Sequence, residues 1–334
     1  RLTNPVFRSF QAELENVFEE YNMYLDDNST HSRNFIFGKL YEGHAYARDI
    51  IGYAEDLKNP KLRKLIDFYN TWYVPNNMAL ILVGDFDIEA TKPLIEKTFG
   101  KLQAHPLPER TKYPTTAFAQ DERYSAKLGY MPELYIAYNG VPVGDKDELL
   151  LDFLGEILSN SMQIGLLDEL TLDNKLMYAG AVNDVRRDQG RFLVIAVPYM
   201  DAETQTYTSL KETEKLVNEV IQQLVSGNIS EELVEAVRQN FYQEFDRTME
   251  YPEMKVQLLQ NAFTYQQSIE EMLQLKEQVA AITMDDLKNA AKKYLGAPKK
   301  VFEIEEGTPK KDKLPKPKIK SLESPKGESA YCQY

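Results

Sequence analysis

The stretch Glu13–Leu14–Glu15–Asn16–Val17–Phe18–Glu19–Glu20–Tyr21–Asn22 sets two carboxylates, Glu13 and Glu20, seven residues apart in a helical pattern. Seven residues are about two helical turns, so both side chains lie on nearly one line along the helix. Val6, Phe10, Leu14, Val17, Phe18 and Tyr21 mark the apolar stripe. On a helical wheel Glu13 and Glu20 fall at the edge of that stripe, and Glu15 and Glu19 on the far side, toward water. A carboxylate pair held beside a core has the geometry of a metal ligand with a partner that orients the other ligands. Glutamate on a helix is, however, most often a solvated face, so spacing alone does not make a site.

Working outward, residues 5–25 read as a helix that stops at Asp26–Asp27–Asn28–Ser29. Short helices are expected over 33–40 and 46–54. Pro60 opens a further helix with Leu62, Leu65, Ile66 and Tyr69 at helical spacing, ended by the breakers of Tyr73–Val74–Pro75–Asn76–Asn77. The continuous apolar run Ala79–Val83 predicts a buried strand, and Ile88–Phe99 a helix. Pro106, Pro108 and Pro114 among polar residues mark 105–119 as a linker.

A second α/β segment follows. Strands are expected at Leu134–Tyr138, Met177–Asp184, Phe192–Val197 and Val301–Glu305. Helices are expected at Glu148–Ser159, 203–225, 231–249 and 269–280, with a last one that ends near Gly296. Ser230 has the position of an N-cap, with Glu231 and Glu232 in the first turn. Thr283 and Asp286 have capping-box spacing. The order helix, breaker, strand occurs at Leu65–Val83 and again at Leu287–Ile304, a faint internal echo. Six lysines and three prolines lie between Pro309 and Lys320, the composition of an extended, solvated tail or linker.

With 334 residues, 43% hydrophobic and 27% charged, the chain has an ordinary globular composition and room for two domains. A net charge of −13 argues against nucleic-acid binding, because that surface repels phosphates. No apolar run is long enough to span a bilayer. One cysteine, Cys332, excludes an internal disulfide and leaves the compartment open.

The Glu13/Glu20 block resembles the second zinc-binding block of the pitrilysin/insulinase family of zinc peptidases, which includes the processing peptidases. The resemblance continues through Gly43–His44–Ala45–Tyr46 and Gly52. It continues again through Tyr73–Val74–Pro75–Asn76–Asn77–Met78, the apolar run and Val83–Gly84–Asp85, and closes with Phe99–Gly100. It implies an α/β (α+β) fold of two duplicated domains, each a mixed β-sheet backed by helices, as in the metalloenzymes of the LuxS and processing-peptidase type. The expected division is 1–104 for the C-terminal part of a first, zinc-bearing domain and 105–119 for the linker. Residues 120–306 then form a second peptidase-like domain, and 307–334 the Lys/Pro-rich tail.

The resemblance also implies a site. Glu20 would be the third ligand of one Zn2+ and Glu13 the carboxylate that orients a ligating histidine; Glu19 is the neighbouring alternative. The family's His-x-x-Glu-His motif, with two ligands and the general base, is not in this sequence. His31, His44 and His105 are the three histidines, and none has the required spacing. The chain therefore reads as a piece of a longer protein that binds zinc weakly or not at all by itself. In the family an Arg and, after six intervening residues, a Tyr hold the substrate and oxyanion. Here Tyr178 matches on the substrate side, but Thr171 stands in the Arg position and cannot supply a guanidinium fork. The pair's role is therefore not carried onto this domain: Tyr178 reads as a packing residue at a strand start, and the other half would supply the pair. His31 and His44 read as surface or packing residues.

The implied function is part of a zinc metalloendopeptidase that hydrolyses peptides in a chamber between two halves. The partners are a peptide substrate and a second half, on another subunit or further along the same chain. The alternative is a non-catalytic scaffolding or peptide-binding subunit of the same fold. Bacterial members are often periplasmic, which makes the periplasm the expected compartment.

Overall fold

A computed structural model describes residues 2, 5–311 and 313–315. The N-terminal region is helical: α1 (Phe10–Asp26), α2 (Asn28–Leu40), α3 (Ala54–Lys58), α4 (Leu62–Trp72) and α5 (Ile88–Phe99), with 3-10 turns at Ala45–Ala47 and Pro75–Asn77. Asp27 ends α1 and starts α2, its side chain accepting from the Ser29 N–H. Residues 46–54, expected as a helix, are mostly turn, because Gly52 at φ +79° breaks the pattern before α3.

Beyond the coil of 105–119 come β1 (Glu122–Gly129), β2 (Glu133–Asn139), α6 (Glu148–Leu158), α7 (Asp168–Leu172), β3 (Leu176–Asp184) and β4 (Arg191–Pro198). Helices α8 (Leu210–Val225), α9 (Glu231–Glu250), α10 (Pro252–Tyr265), α11 (Ile269–Leu273), α12 (Leu275–Ala281) and α13 (Met284–Tyr294) lead to β5 (Lys299–Glu306). The sequence reading differs in several places: β1, α7 and α10 are additional, the helix expected over 203–225 begins at Leu210, and the one expected over 269–280 breaks at Gln274 into α11 and α12. Ser230 and the Thr283/Asp286 capping box cap α9 and α13 as their spacing predicts.

The five strands form one mixed sheet in the order β1-β5-β2-β4-β3, in which β1 and β5 run parallel and the other pairs antiparallel. Alternation along each strand gives the sheet two faces. Leu134, Ile136, Phe192, Val194 and Val301 pack under α6, α8 and α13 in the main core. Ala137, Leu193, Phe302 and Ile304 face the other way, against Ile36, Leu40 and Tyr41 at the end of α2. The N-terminal region is thereby seated on the sheet through α2.

The run Ala79–Val83 is not a strand, contrary to expectation. Leu80 is 50% and Leu82 46% exposed. A strand forms only where a neighbour supplies ladder hydrogen bonds, and none of the described strands reaches this run. Among the described residues there is one sheet, so the duplicated sheet and the internal echo are absent from the first region. The opening of the expected solvated tail is docked: Leu314 is buried against Phe18 and Leu57, and its N–H donates to Asn22 Oδ1 at 2.9 Å. Lys313 Nζ lies 2.7 Å from Asp26, whose carboxyl it holds below the usual range. The rest of that stretch, from 316 onward, lies outside the described residues.

Candidate functional site

Helix α1 buries Phe18, with Leu14, Val17 and Tyr21 packed beside it, so the apolar stripe is where the periodicity puts it. Glu13 and Glu20 both lie on α1 and both are exposed. Glu15, which the wheel sends to water, is half-buried. The carboxylates of Glu13 and Glu20 have no hydrogen-bond or ion-pair partner among the described residues. A catalytic zinc needs three protein ligands. Among the described residues no three His, Cys, Asp or Glu side chains come together to hold a metal. The donor set present therefore does not make a zinc site by itself.

The histidines are engaged elsewhere. His31 Nε2 lies 2.9 Å from the Leu25 carbonyl, near the C-terminal end of α1. His105 is in the coil, its carbonyl accepting from Asn76 Nδ2. His44 is buried: Nδ1 accepts from the Tyr46 N–H at 3.1 Å, and the ring packs on Tyr46 and Tyr113. With Nδ1 accepting, the neutral ring carries its proton on Nε2, which points at Asp188 Oδ2 3.6 Å away. Burial pushes the His44 pKa down, against the opposing pull of Asp188.

His44 belongs to a junction the sequence reading did not foresee. Tyr41 donates to Asp184 Oδ2 at 2.9 Å, and Arg186 donates to the same oxygen at 2.8 Å. The Arg186 guanidinium lies about 5 Å from the rings of Phe37, Tyr41 and Tyr46. Arg191, 2% exposed, donates to the Leu40 and Thr116 carbonyls and stacks on Tyr41 and Phe118. Burial lowers its pKa to about 10. Tyr41 and Asp184 are 143 positions apart, Arg191 and Leu40 151, and Arg191 and Thr116 75, so no local pattern announces the junction. The aromatic-rich stretch Phe35–Tyr46 is the one signal that could have pointed to them.

Tyr178, proposed on the substrate side, is 52% exposed on β3, at a register irregularity of the sheet edge. Its ring lies along the strand over Gly180, where an added Cβ would meet the Tyr178 hydroxyl at 2.5 Å. It is therefore not the packed residue that a strand start suggests. Thr171 lies in the short helix α7, and nothing in the structure brings it to Glu20.

Residues 61–241 match the family model described as the peptidase M16 inactive domain. The chain belongs to the M16 peptidase family. Among curated M16 relatives, the zinc protease PqqE of Helicobacter pylori is 24% identical over 297 residues, which are 85% of this chain and 64% of that protein. The chain thus spans under two thirds of that relative's length. A solved protease from Helicobacter pylori superposes with a TM-score of 0.78 at 20% identity, covering 90% of this chain and 73% of the other. The first half of the periplasmic protease PqqL from Escherichia coli gives 0.69 at 17% identity, covering 88% and 65%. At these identities the superpositions show the mixed α/β fold and nothing finer. No helix among the described residues is long and apolar enough to cross a membrane.

Proposed function

We propose that this chain acts as part of a zinc metalloendopeptidase, contributing one metal ligand, Glu20, while the histidine ligands and general base come from outside these 334 residues. Glu13 would orient one of those histidines. The observation that carries the reading is the unfinished state of the N-terminal region. Helices α4 and α5 have no buried residue, the apolar run 79–83 pairs with nothing described, and α1 turns two unpartnered carboxylates to solvent. A layer that supplied strands to 79–83 and histidines to α1 would satisfy both needs at once. Names of matched relatives, which include zinc proteases, support the same reading. The peptide substrate, a second half facing this one and a periplasmic setting belong to this proposal.

One observation favours a second reading, a peptide-binding or scaffolding part without chemistry of its own. The family model that matches is the one described as inactive. The test is a zinc titration by calorimetry of the 334-residue chain, followed by peptide cleavage by the complete protein. The first reading expects weak or no zinc binding by the chain alone. It also expects Glu20→Gln to remove most peptidase activity of the complete protein, with Glu13→Gln milder, about 10–100-fold. Full activity in Glu20→Gln overturns the ligand assignment. A complete protein that neither binds zinc nor cleaves peptides leaves the scaffolding reading.

A further inference from the structure

On the face of the sheet opposite α2, a groove of about 900 Å³ opens between the turn after β2, helix α6, helices α9 to α12 and the start of α13. Its size is that of a ligand or peptide site. Its apolar surface includes Phe241, Phe245 and Leu275. Six carboxylates line it (Asp145, Glu148, Asp152, Glu244, Glu271 and Asp286) against one cation, Lys146. Two of these acids are set into the wall. Glu148 Oε2 accepts from the Gly144 N–H at 2.5 Å, and Asp152 Oδ1 accepts from Asn183 Nδ2 at 2.9 Å. They stand one turn apart on α6, with Glu156 a further turn on, which is a like-charge row.

No lysine or arginine forms an ion pair with Glu148 or Asp152 among the described residues. Burial, aided by the neighbouring acids, raises the pKa of both, Asp152 to about 6. A sunken carboxylate without a cation is costly unless something brings one. We propose that this groove binds a short cationic, apolar segment of another protein, with a lysine or arginine between Glu148 and Asp152 and an apolar side chain on Phe241, Phe245 and Leu275. Apolar surface beside the acids selects a peptide over a simple cation. A second copy is disfavoured, because a chain of net charge −13 repels itself.

The experiment uses fluorescence anisotropy with two labelled peptides, one alternating leucine and lysine, the other leucine and glutamate. The lysine peptide is expected to bind at least about tenfold more tightly. Asp152→Asn with Glu148→Gln, which keep shape and remove charge, should weaken it about tenfold. Phe245→Ala, which leaves the acids in place, should also weaken it. The control Asp85→Asn with Glu109→Gln makes the same charge change on exposed residues outside the groove and should leave binding unchanged. Equal binding of both peptides, no binding of the lysine peptide, or equal losses in control and groove variants would overturn the proposal. So would sedimentation showing a dimer that the groove variants dissolve, since the groove would then belong to a second copy. The readout is binding, so its failure is distinct from failure of the peptidase reading.

Discussion

Helices α4 and α6 carry eleven residues each and apolar side chains at helical spacing, yet their fates differ. Helix α6 buries Leu151, Phe153, Leu154, Gly155, Ile157 and Leu158 between the sheet and the outer helices. Helix α4 buries none, and Phe68 on it is 56% exposed. Nearby in sequence, Leu94 of α5 is 61% exposed. Periodicity says which side chains seek cover. Whether cover exists depends on a second layer, which α6 has and α4 and α5 lack among the described residues.

The largest expected effect tests that contrast directly. Leu154→Ala should cost about 3–5 kcal/mol in urea unfolding, as an enclosed leucine does, while Leu94→Ala should stay within about 0.5 kcal/mol. Equal costs would break the comparison, because they would mean that α5 is covered in solution. Next comes the junction. Arg191→Met strips donors from the Leu40 and Thr116 carbonyls and should cost about 2–3 kcal/mol. Hydrogen exchange should show the loss concentrated in α2 and β4. Protection unchanged in α2 would mean that Arg191 does not hold the two regions together.

Asp152 sharpens the picture of the second region. Its folded pKa, about 6, lies above the unfolded carboxylate value, so the ionised form is disfavoured in the fold. That cost is fully present above about pH 6 and disappears as pH falls toward 4. Asp152→Asn should therefore stabilise by about 1–3 kcal/mol at pH 8 and by much less at pH 4. A pH-independent difference would remove the buried-charge explanation. His44 carries the opposite sign at the junction. Its folded pKa is lowered, so stability is present above the unfolded histidine value and falls as pH drops below about 6.5. Protection of the Tyr46 amide, which donates to His44 Nδ1, should fall on acidification relative to its intrinsic exchange rate at each pH, and His44→Gln should flatten that response. The smallest stability effect is expected from Leu80→Lys with Leu82→Lys, within about 0.5 kcal/mol, since both side chains are already in water. Dye binding to exposed apolar surface should nevertheless fall; unchanged dye binding would place that surface elsewhere.

Much of the second region was legible. β2, β3, β4 and β5 lie within a residue or two of the apolar runs that predicted them, because both faces of this sheet are covered and the strands are correspondingly apolar. β1 escaped because it sits at the edge, alternating half-buried and exposed residues among charges in Glu122–Gly129. The strand expected at 79–83 failed for the converse reason: the side chains suit a sheet, but no partner is described. At the candidate site, the sequence located Glu13 and Glu20 on one helix. Their exposure, like that of Tyr178, depends on what packs beside them.

By itself the sequence determined the local grammar: capped helices, apolar strands, the breakers after α4, and the ordered landmarks that resemble one peptidase family. These depend on neighbours within a few residues, where backbone geometry and side-chain spacing act directly. Only the tertiary structure decided that α2 seats on the sheet through Arg191, that His44 is buried, that Leu314 docks on α1, and that α6 faces α9 to α12 across a groove in which neither Glu148 nor Asp152 has an ion-pair partner among the described residues. Each of those depends on groups far apart in the chain, and burial and charge pairing are properties of the assembled neighbourhood rather than of any residue within it.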